Sequence, residues 1–494
     1  MDAATPSPVC SGCQARDTTI ARLEQTVADL QRQLDDVRGQ LDQAQRAGKR
    51  QAGPFRRRRP VENPKKPGRP KGHPLAARPL PPRIDRIVDV PCAECPDGPV
   101  PLTDPVTHAQ YQTDLPPVVP VVTRFDVHGG TCPCCRRYHQ GRHPERTSDA
   151  VGACANQIGP VALTRAAELK HRLGVPYRKI TDFFATYFEL RVSPGTPTRA
   201  ERRLAAKARP TFELLREALR ACQVVHADET GWRVGKLSAW LWVFSSATVT
   251  IYAIRSSRGH EIPEEILGPD FGGVLVVDGL KTYDALGCRK GRCNGHILRR
   301  CRERLEQGQT PADAEHLRGL MDLLRRSLGL SAQYATLERV EYMVRLWDWE
   351  DELDGWLERT EQAGADVQRL RRHLARYHEE ITRHLFEPGV PATNNHGERM
   401  LRPAVISRQT GGCNKTLLGA LVHGVLASLM VSVRQQGKRF VDLALRLWRA
   451  AEPQGIPLSE WPGGPSGANP AADPAVAGTP PAGHGRPVAF APSG

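Results

Sequence analysis

The chain has 494 residues, with 69 Lys and Arg against 54 Asp and Glu, a formal charge of +15 at pH 7. That length predicts about two to four domains and at least one sizeable core. The basic excess points to a polyanionic partner and leaves the fold open. No run approaches the roughly 18 consecutive apolar residues of a membrane span, and Met1-Asp-Ala-Ala-Thr-Pro6 has neither the basic nor the apolar region of a signal peptide. A cytoplasmic protein without membrane contact is expected. In that reducing compartment, pairs among the 13 cysteines read as metal ligands rather than disulfides.

Residues 1–48 are expected to form an oligomerisation helix. Ile20, Leu23, Val27, Leu30, Leu34, Val37, Leu41 and Ala44 recur in alternating steps of three and four, the a/d seam of a coiled coil. Packing of that stripe on its own domain is the alternative. Cys10 and Cys13 precede it, two thiols short of a tetrahedral zinc set. Residues 49–85 scatter Arg56-Arg57-Arg58-Arg59, Lys65-Lys66 and other basic residues among Pro and Gly, the composition of an extended linker. Within it, Pro67-Gly-Arg69-Pro-Lys71-Gly72 is similar to an AT-hook, whose Arg-Pro unit lies in a narrow A·T minor groove. Contact with phosphates without sequence preference explains the same residues.

Residues 86–150 carry Cys92-Ala-Glu-Cys95 and Cys132-Pro-Cys134-Cys135, two knuckles that together supply the four thiolates of a structural Zn²⁺ site. Cys134 is a spare thiol, and His139 and His143 are lesser alternatives. Val118–Val122 and Thr123–His128 between the knuckles look strand-like, so a small zinc-stapled β module is expected. Residues 151–220 read as helical, with breaks at Gly174-Val-Pro176 and Val192-Ser-Pro-Gly195 and a helix from about Tyr177 to Phe188. A short turn followed by a basic helix fits a helix-turn-helix DNA reader, and a helical spacer fits as well.

In residues 221–300 the pattern changes to short apolar runs. Strands are expected at 222–227, 239–245, 248–254, 274–277 and near 292–297, with a short helix near 261–267. An Asp ends the first run (Asp228) and the fourth (Asp278). Residues 301–387 return to helical periodicity, with Leu317, Leu320, Met321, Leu323 and Leu324 as one apolar set and Trp347, Trp349, Leu353 and Trp356 as another. The tryptophans read as core rather than as a DNA-stacking surface. Residues 388–450 hold Glu398 at a helix start and a long apolar helix from Leu417 to Val433. Residues 451–494 are rich in Pro, Gly and Ala and are expected to be disordered.

The fold class expected is therefore multidomain α+β: coiled coil, zinc-binding β module, helical DNA-binding segment, and a ribonuclease-H-like α/β domain interrupted by a helical insertion. Phosphoryl transfer on DNA requires a hydroxyl nucleophile to be activated and charge on the leaving oxygen to be stabilised. Two divalent ions about 4 Å apart do both. Mg²⁺ or Mn²⁺ takes oxygen ligands, so Asp228, Asp278 and Glu398 form the candidate catalytic and metal-binding triad. Singly, each acid has a simpler explanation. Asp228 and Asp278 could cap turns, and Asn395-His-Gly-Glu398 has the spacing of a capping box. Glu229 and Asp284 are close competitors.

Four motifs carry a resemblance. His226-Ala-Asp228-Glu-Thr-Gly-Trp232, Asp278-Gly-Leu-Lys-Thr-Tyr-Asp284, Cys293-Asn-Gly-His296-Ile-Leu-Arg299-Arg300 and Asn394-Asn-His-Gly-Glu398-Arg399-Met-Leu-Arg402-Pro403 together resemble the IS66 family of bacterial DDE transposases. The resemblance implies a ribonuclease-H-like core, Mg²⁺-dependent cleavage at insertion-sequence ends and strand transfer into target DNA. It also implies possible accessory proteins of the same element, and residence on the bacterial nucleoid when DNA is bound. His296, Arg299, Arg300, Arg399 and Arg402, with Arg69 and Lys71 of the linker, are the candidate DNA contacts. The chain departs from the family at the arginine-rich linker, at Gly295 and over Ser407–Cys413. A DNA-binding protein without catalysis on the same scaffold, or a nuclease without strand transfer, are the rival readings.

Overall fold

The computed structural model describes residues 157–463 without interruption, 80–90, 108–150 except 147, and six helical positions between 20 and 31. The chain divides into two compact units, Met1–Leu115 and Pro116–Gly494. In the first, Ile20 and Val27, one heptad apart on the expected seam, are helical and about half exposed. Leu23, Leu30, Leu34, Val37, Leu41 and Ala44 lie outside the described residues, as do Arg69, Lys71, Cys92 and Cys95.

The second unit opens with a hairpin, β1 (Gly129–Thr131) paired antiparallel to β2 (Tyr138–Gln140). The strand-like stretches at 118–128 are not strands: residues 108–128 have no regular structure, and Val118, Val119, Val121 and Val122 are exposed. Pro116, Pro117 and Pro120 remove the donors a ladder would use.

Three helices follow: α1 (Pro160–His171), α2 (Tyr177–Phe188) and α3 (Gly195–Arg220). α3 belongs to the main core, because Leu204, Leu215 and Leu219 share one buried cluster with Val225, Phe244 and Leu275 of the sheet. Glu201 of α3 is buried, where it accepts a 2.5 Å hydrogen bond from Tyr177 Oη and lies 3.2 Å from His171 Nε2. That polar contact ties the three helices together.

The sheet is built from β3 (Val224–Val234), β4 (Leu237–Ser245), β5 (Thr250–Arg255), β6 (Val274–Val277) and β7 (Arg289–Arg292) in the order β5-β4-β3-β6-β7. β5, β4 and β3 are antiparallel neighbours, whereas β3, β6 and β7 run parallel. Between β5 and β6 lies α4 (Glu261–Leu267).

Two expectations are corrected here. β3 does not stop at residue 227 but runs seven residues further, because Asp228 to Val234 pair with Leu237 to Val243 of β4. The last strand is Arg289-Lys-Gly-Arg292, not 292–297, and a helix starts at Asn294. A search for apolar runs misses β7 because its buried side chains are charged: Arg292 pairs with Asp284 and Glu380, and Lys290 donates to the Leu286 and Cys288 carbonyls.

The two faces of the sheet follow the period-two rule. Val225, Ala227, Trp242, Phe244, Ile251, Leu275 and Val277 face α3 and α4. Leu241, Val243 and Tyr252 face the other way, against Leu401 and Ala404 of α10 (Asn395–Thr410). Edge strand β5 is covered by α11 (Leu417–Gln435), whose Ser428 and Ser432 hydroxyls accept from Tyr252 N and Thr250 N at 2.8 and 2.9 Å. Those bonds satisfy backbone donors an open edge would leave unpaired. By length and composition alone α11 could cross a membrane, but most of it is buried in this core.

α12 (Phe440–Arg449) closes the unit. The tail expected to be disordered from 451 is packed at its start: Ile456 and Trp461 are buried, and Gln454 O accepts from Thr211 Oγ1. Two large apolar side chains outweigh the surrounding Pro and Gly there.

Between β7 and α10 lies the helical insertion: α5 (Asn294–Glu306), α6 (Pro311–Ala332), α7 (Arg339–Arg359), α8 (Ala365–Arg376) and α9 (His378–Phe386). It has a core of its own, in which Leu317, Leu320, Leu324, Leu346 and Leu353 meet Trp349 and Trp356. The indole N–H groups of both tryptophans donate to carbonyls on α6, those of Leu323 and His316. Trp347 is not core; it is 57% exposed.

Candidate active site

The parallel pairing of β3 with β6 sets the two aspartates level. Val224, Val225 and His226 pair with Val274, Leu275 and Val276, an offset of 50 that continues to Asp228 and Asp278. Both lie two residues past the last parallel pair, Asp228 within β3 and Asp278 immediately after β6, and paired strands are about 4.8 Å apart. Period two also puts both on the face toward α10, the helix that carries Glu398. Glu229 points to the opposite face. There it accepts from Arg258 Nη2 at 2.6 Å and from Tyr283 Oη at 3.0 Å. Asp284 is likewise committed elsewhere: Arg292 and Tyr377 Oη both bind it. Burial would raise its pKa, but these hydrogen bonds hold it below the usual carboxylate range. Glu229 and Asp284 thus both hold hydrogen-bond partners of their own.

Asp228 feels the other two acids. Burial first, and then the negative charges of Glu229, Asp278 and Glu398, push its carboxyl up to about 7. Its Oδ1 accepts from Glu229 N at 2.9 Å, and Asp278 Oδ1 accepts from Leu280 N at 2.8 Å. Asp278 therefore does cap the turn that follows β6, whereas Asp228 lies within a strand and caps none. Glu398 is not a capping residue either. The N-cap of α10 is Asn394, whose side chain makes no cap hydrogen bond, and Glu398 Oε1 instead lies 3.6 Å from His296 Nε2 and 3.8 Å from Arg299. Burial and the neighbouring Arg299 charge hold His296 below its ordinary pKa, while Asp278 and Glu398 act against them.

The position of α10 is fixed by Asn394, a fully buried residue: the sequence reading has Asn394 and Asn395 fix the helix start, and Asn394 is the N-cap, but its side chain bonds to β3 rather than to the helix. Its Nδ2 donates to Ala227 O at 2.8 Å, and its Oδ1 accepts from His226 Nδ1 at 2.9 Å. Its backbone N donates to Cys293 Sγ at 3.1 Å, next to Asn294 N donating to Ala392 O. Through its side-chain amide and its backbone N–H, this one residue thus joins the strand carrying Asp228, the start of α5 with His296 and Arg299, and the helix carrying Glu398. Burial lowers the His226 pKa to about 4, so the imidazole is neutral and free to donate from Nδ1. The signal in the sequence was Asn394-Asn395 itself, since two adjacent amides before one helix exceed what a single cap uses.

Arg300 lies over Gly279, where a Cβ would come within 2.7 Å of the guanidinium. Arg299, Arg300, Arg399 and Arg402 are exposed. Three oxygen donors suit a hard divalent cation, and a positive charge would relieve the repulsion that raises Asp228. Among the described residues, no three His, Cys, Asp or Glu side chains stand as a ready ligand set. The acids meet through their charges rather than through a closed coordination shell.

At the other end of the unit, Cys132 and Cys135 occupy the turn between β1 and β2. Cys132 N donates to Arg137 O and Arg136 N to Cys132 O, with Arg136 in the left-handed region at φ 54°. Cys135 Sγ lies 3.3 Å from His139 Nε2.

The raised Asp228 pKa has a consequence for stability. The folded protein holds this proton more tightly than the unfolded chain, whose carboxyl has the ordinary value of 3.8. Ionisation between pH 4 and 7 therefore destabilises the metal-free fold. Asp228→Asn should stabilise the metal-free fold above pH 7 by up to about 4 kcal/mol, seen as a higher melting temperature, and the gain should vanish below about pH 4. Thermal melts in EDTA across that range test this; a gain independent of pH would contradict it.

No curated protein matches the chain. The model of the family described as "Transposase IS66 family" matches residues 156–421, from the start of α1 into α11, and takes in all three acids and the whole helical insertion. That match covers more than half of the sequence, and the chain belongs to the IS66 family of transposases.

Proposed function

We propose that this transposase cuts DNA at the ends of an insertion sequence and joins the freed ends to target DNA, with Asp228, Asp278 and Glu398 as its DDE triad. The observation that carries the reading is the level placement of Asp228 and Asp278 on adjacent parallel strands, on the sheet face toward the helix of Glu398. The sheet order, three antiparallel strands followed by two parallel ones, supports a ribonuclease-H-like core. The three carboxylates would hold Mg²⁺ or Mn²⁺, which when bound lowers the pKa of a hydroxyl nucleophile and neutralises charge on the leaving oxygen. Asp228 must be ionised to do so. Its raised pKa means that a metal-free site keeps part of its population protonated at neutral pH.

Neutral His296 and cationic Arg299 flank Glu398. They are suited to orient that carboxylate and to receive a phosphate. His226 stays neutral and serves position rather than proton transfer, because its Nδ1 is bound to Asn394. Family membership favours transposition over the rival readings of a DNA-binding protein without catalysis or a nuclease without joining.

A joining assay with labelled element ends and a plasmid target tests the assignment. Wild-type chain with Mg²⁺ should give joined products, and EDTA should give none. Asp278→Asn should lower joining by about 10²- to 10³-fold, the order of effect seen when a group acting on the transition state is lost. Full joining by this variant would remove Asp278 from the triad, and nicks without joined products would favour the nuclease.

We read Cys132 and Cys135 as two thiolates of a structural Zn²⁺ site. The supporting geometry is the tight β1–β2 turn, which places both thiols on one knuckle. Metal analysis of purified chain should find about one Zn²⁺ per chain. Cys132→Ser should lose it, and unchanged zinc in that variant would reject the ligand set.

A further inference from the structure

The outer surface of α8 has no role in the sheet or in the insertion core. Val367, Leu370 and Leu374 turn inward and are buried. At 100° per residue, Arg369, Arg372 and Arg376 fall together on the opposite side, and all three are exposed. Two links connect α8 to α5, and they run in opposite senses along the two helices. Arg304 Nη1 is 3.4 Å from Asp366 near the start of α8, while about two turns further along α8 and one turn earlier on α5, Arg300 acts on His373, whose pKa is lowered to about 4 by burial and then by the Arg300 and Arg292 charges.

The direction of this pairing matters. The end of α8 that carries Arg376 is level with the beginning of α5, where His296 and Arg299 meet Glu398 and where Arg300 covers Gly279 beside Asp278. Arg376 itself is 3.8 Å from Asp284, six residues beyond Asp278. The acids on this side are already engaged: Asp366 by Arg304 and Arg369, and Asp284 by Arg292 and Tyr377. Arg369, beside Asp366, and Arg376, beside Asp284, stay exposed together with Arg372, so the three guanidiniums form an outward row spaced by about one helical turn.

We propose that Arg369, Arg372 and Arg376 of α8, continued by Arg300 of α5, form a track for the phosphate backbone of duplex DNA entering the triad. The helical insertion is then a substrate-binding element and not only a spacer between β7 and α10. The proposal rests on the transposase reading above and names the surface by which the substrate reaches that site. Guanidiniums suit it because they bind phosphate bidentately and stay charged, and a contact with the backbone alone needs no sequence.

The test is the salt dependence of binding by the full-length chain. Fluorescence anisotropy with a labelled linear duplex of mixed sequence, in Ca²⁺ to prevent cleavage, gives log Kobs against log[KCl]. Each phosphate contact contributes about 0.9 to the slope. The variant R369A/R372A/R376A should therefore lower the slope by about 2 to 3 with an unchanged circular dichroism spectrum and melting temperature. A control that removes the same charge from exposed positions on α6 and α7, R318A/R325A/R339A, should leave the slope as in wild type.

An unchanged slope in the α8 variant overturns the track, and if the wild-type chain still joins DNA ends the catalytic reading survives that failure. An equal fall in both variants overturns it too, since net charge alone would then explain binding. A wild-type chain that binds no duplex overturns the track together with the reading beneath it.

Discussion

The site depends on one register. β3 and β6 run parallel with a fixed offset, so the second residue past the last parallel pair is an aspartate in both segments, at the same level. A slip of one residue in either strand would turn one carboxylate to the far side of the sheet, among the side chains that pack on α3. The register is specified by the apolar residues around it. Val225, Ala227, Leu275 and Val277 must face the main core, which leaves Asp228 and Asp278 nowhere to point but toward α10. Core packing and catalytic geometry are therefore the same constraint seen from two faces of one sheet.

The third acid comes from 120 residues further along and needs its own anchor. Asn394 supplies it with a single buried amide that donates to Ala227 O and accepts from His226. Asn is suited to this place because it offers one donor and one acceptor without charge. An Asp there would have only acceptors to present to the Ala227 carbonyl. The insertion is tied down by a different set, Arg292 with Asp284, Glu380 and the face of the Tyr377 ring. That cluster lies at the root of the insertion, so the five helices are attached beside β7 and the segment that follows Asp278.

The parts of this arrangement legible in the sequence are those with strong local signals. β6 and α4 fall where apolar runs and periodicity place them, and α2 starts and ends where its flanking Pro and Gly predict. The order in which strands and helices succeed one another was also readable, because each run has a clear period. The rest depended on pairing. β3 extends past Asp228 only because β4 is there to continue the ladder, and a polar stretch such as Asp-Glu-Thr-Gly gives no sign of that. β7 is charged and buried together, which becomes favourable only once Glu380, 88 residues away, meets Arg292. Glu398 had the spacing of a capping box, and only the three-dimensional placement of His296 and Arg299 shows its carboxylate engaged elsewhere. The valines near 120 show the converse: strong strand propensity forms no strand without a partner to pair with.

The central claim is that Asp228, Asp278 and Glu398 together make one metal-binding site, to the exclusion of Glu229 and Asp284. Crystals grown with Mn²⁺ and measured at a wavelength where manganese scatters anomalously test it most directly. The expected result is anomalous density in contact with carboxylate oxygens of Asp228 and Asp278, with Glu398 turned toward it and Arg258 still bound to Glu229. Density held by Glu229 or Asp284 instead, or a Glu398 that stays with His296 and Arg299 while manganese binds elsewhere, would contradict it.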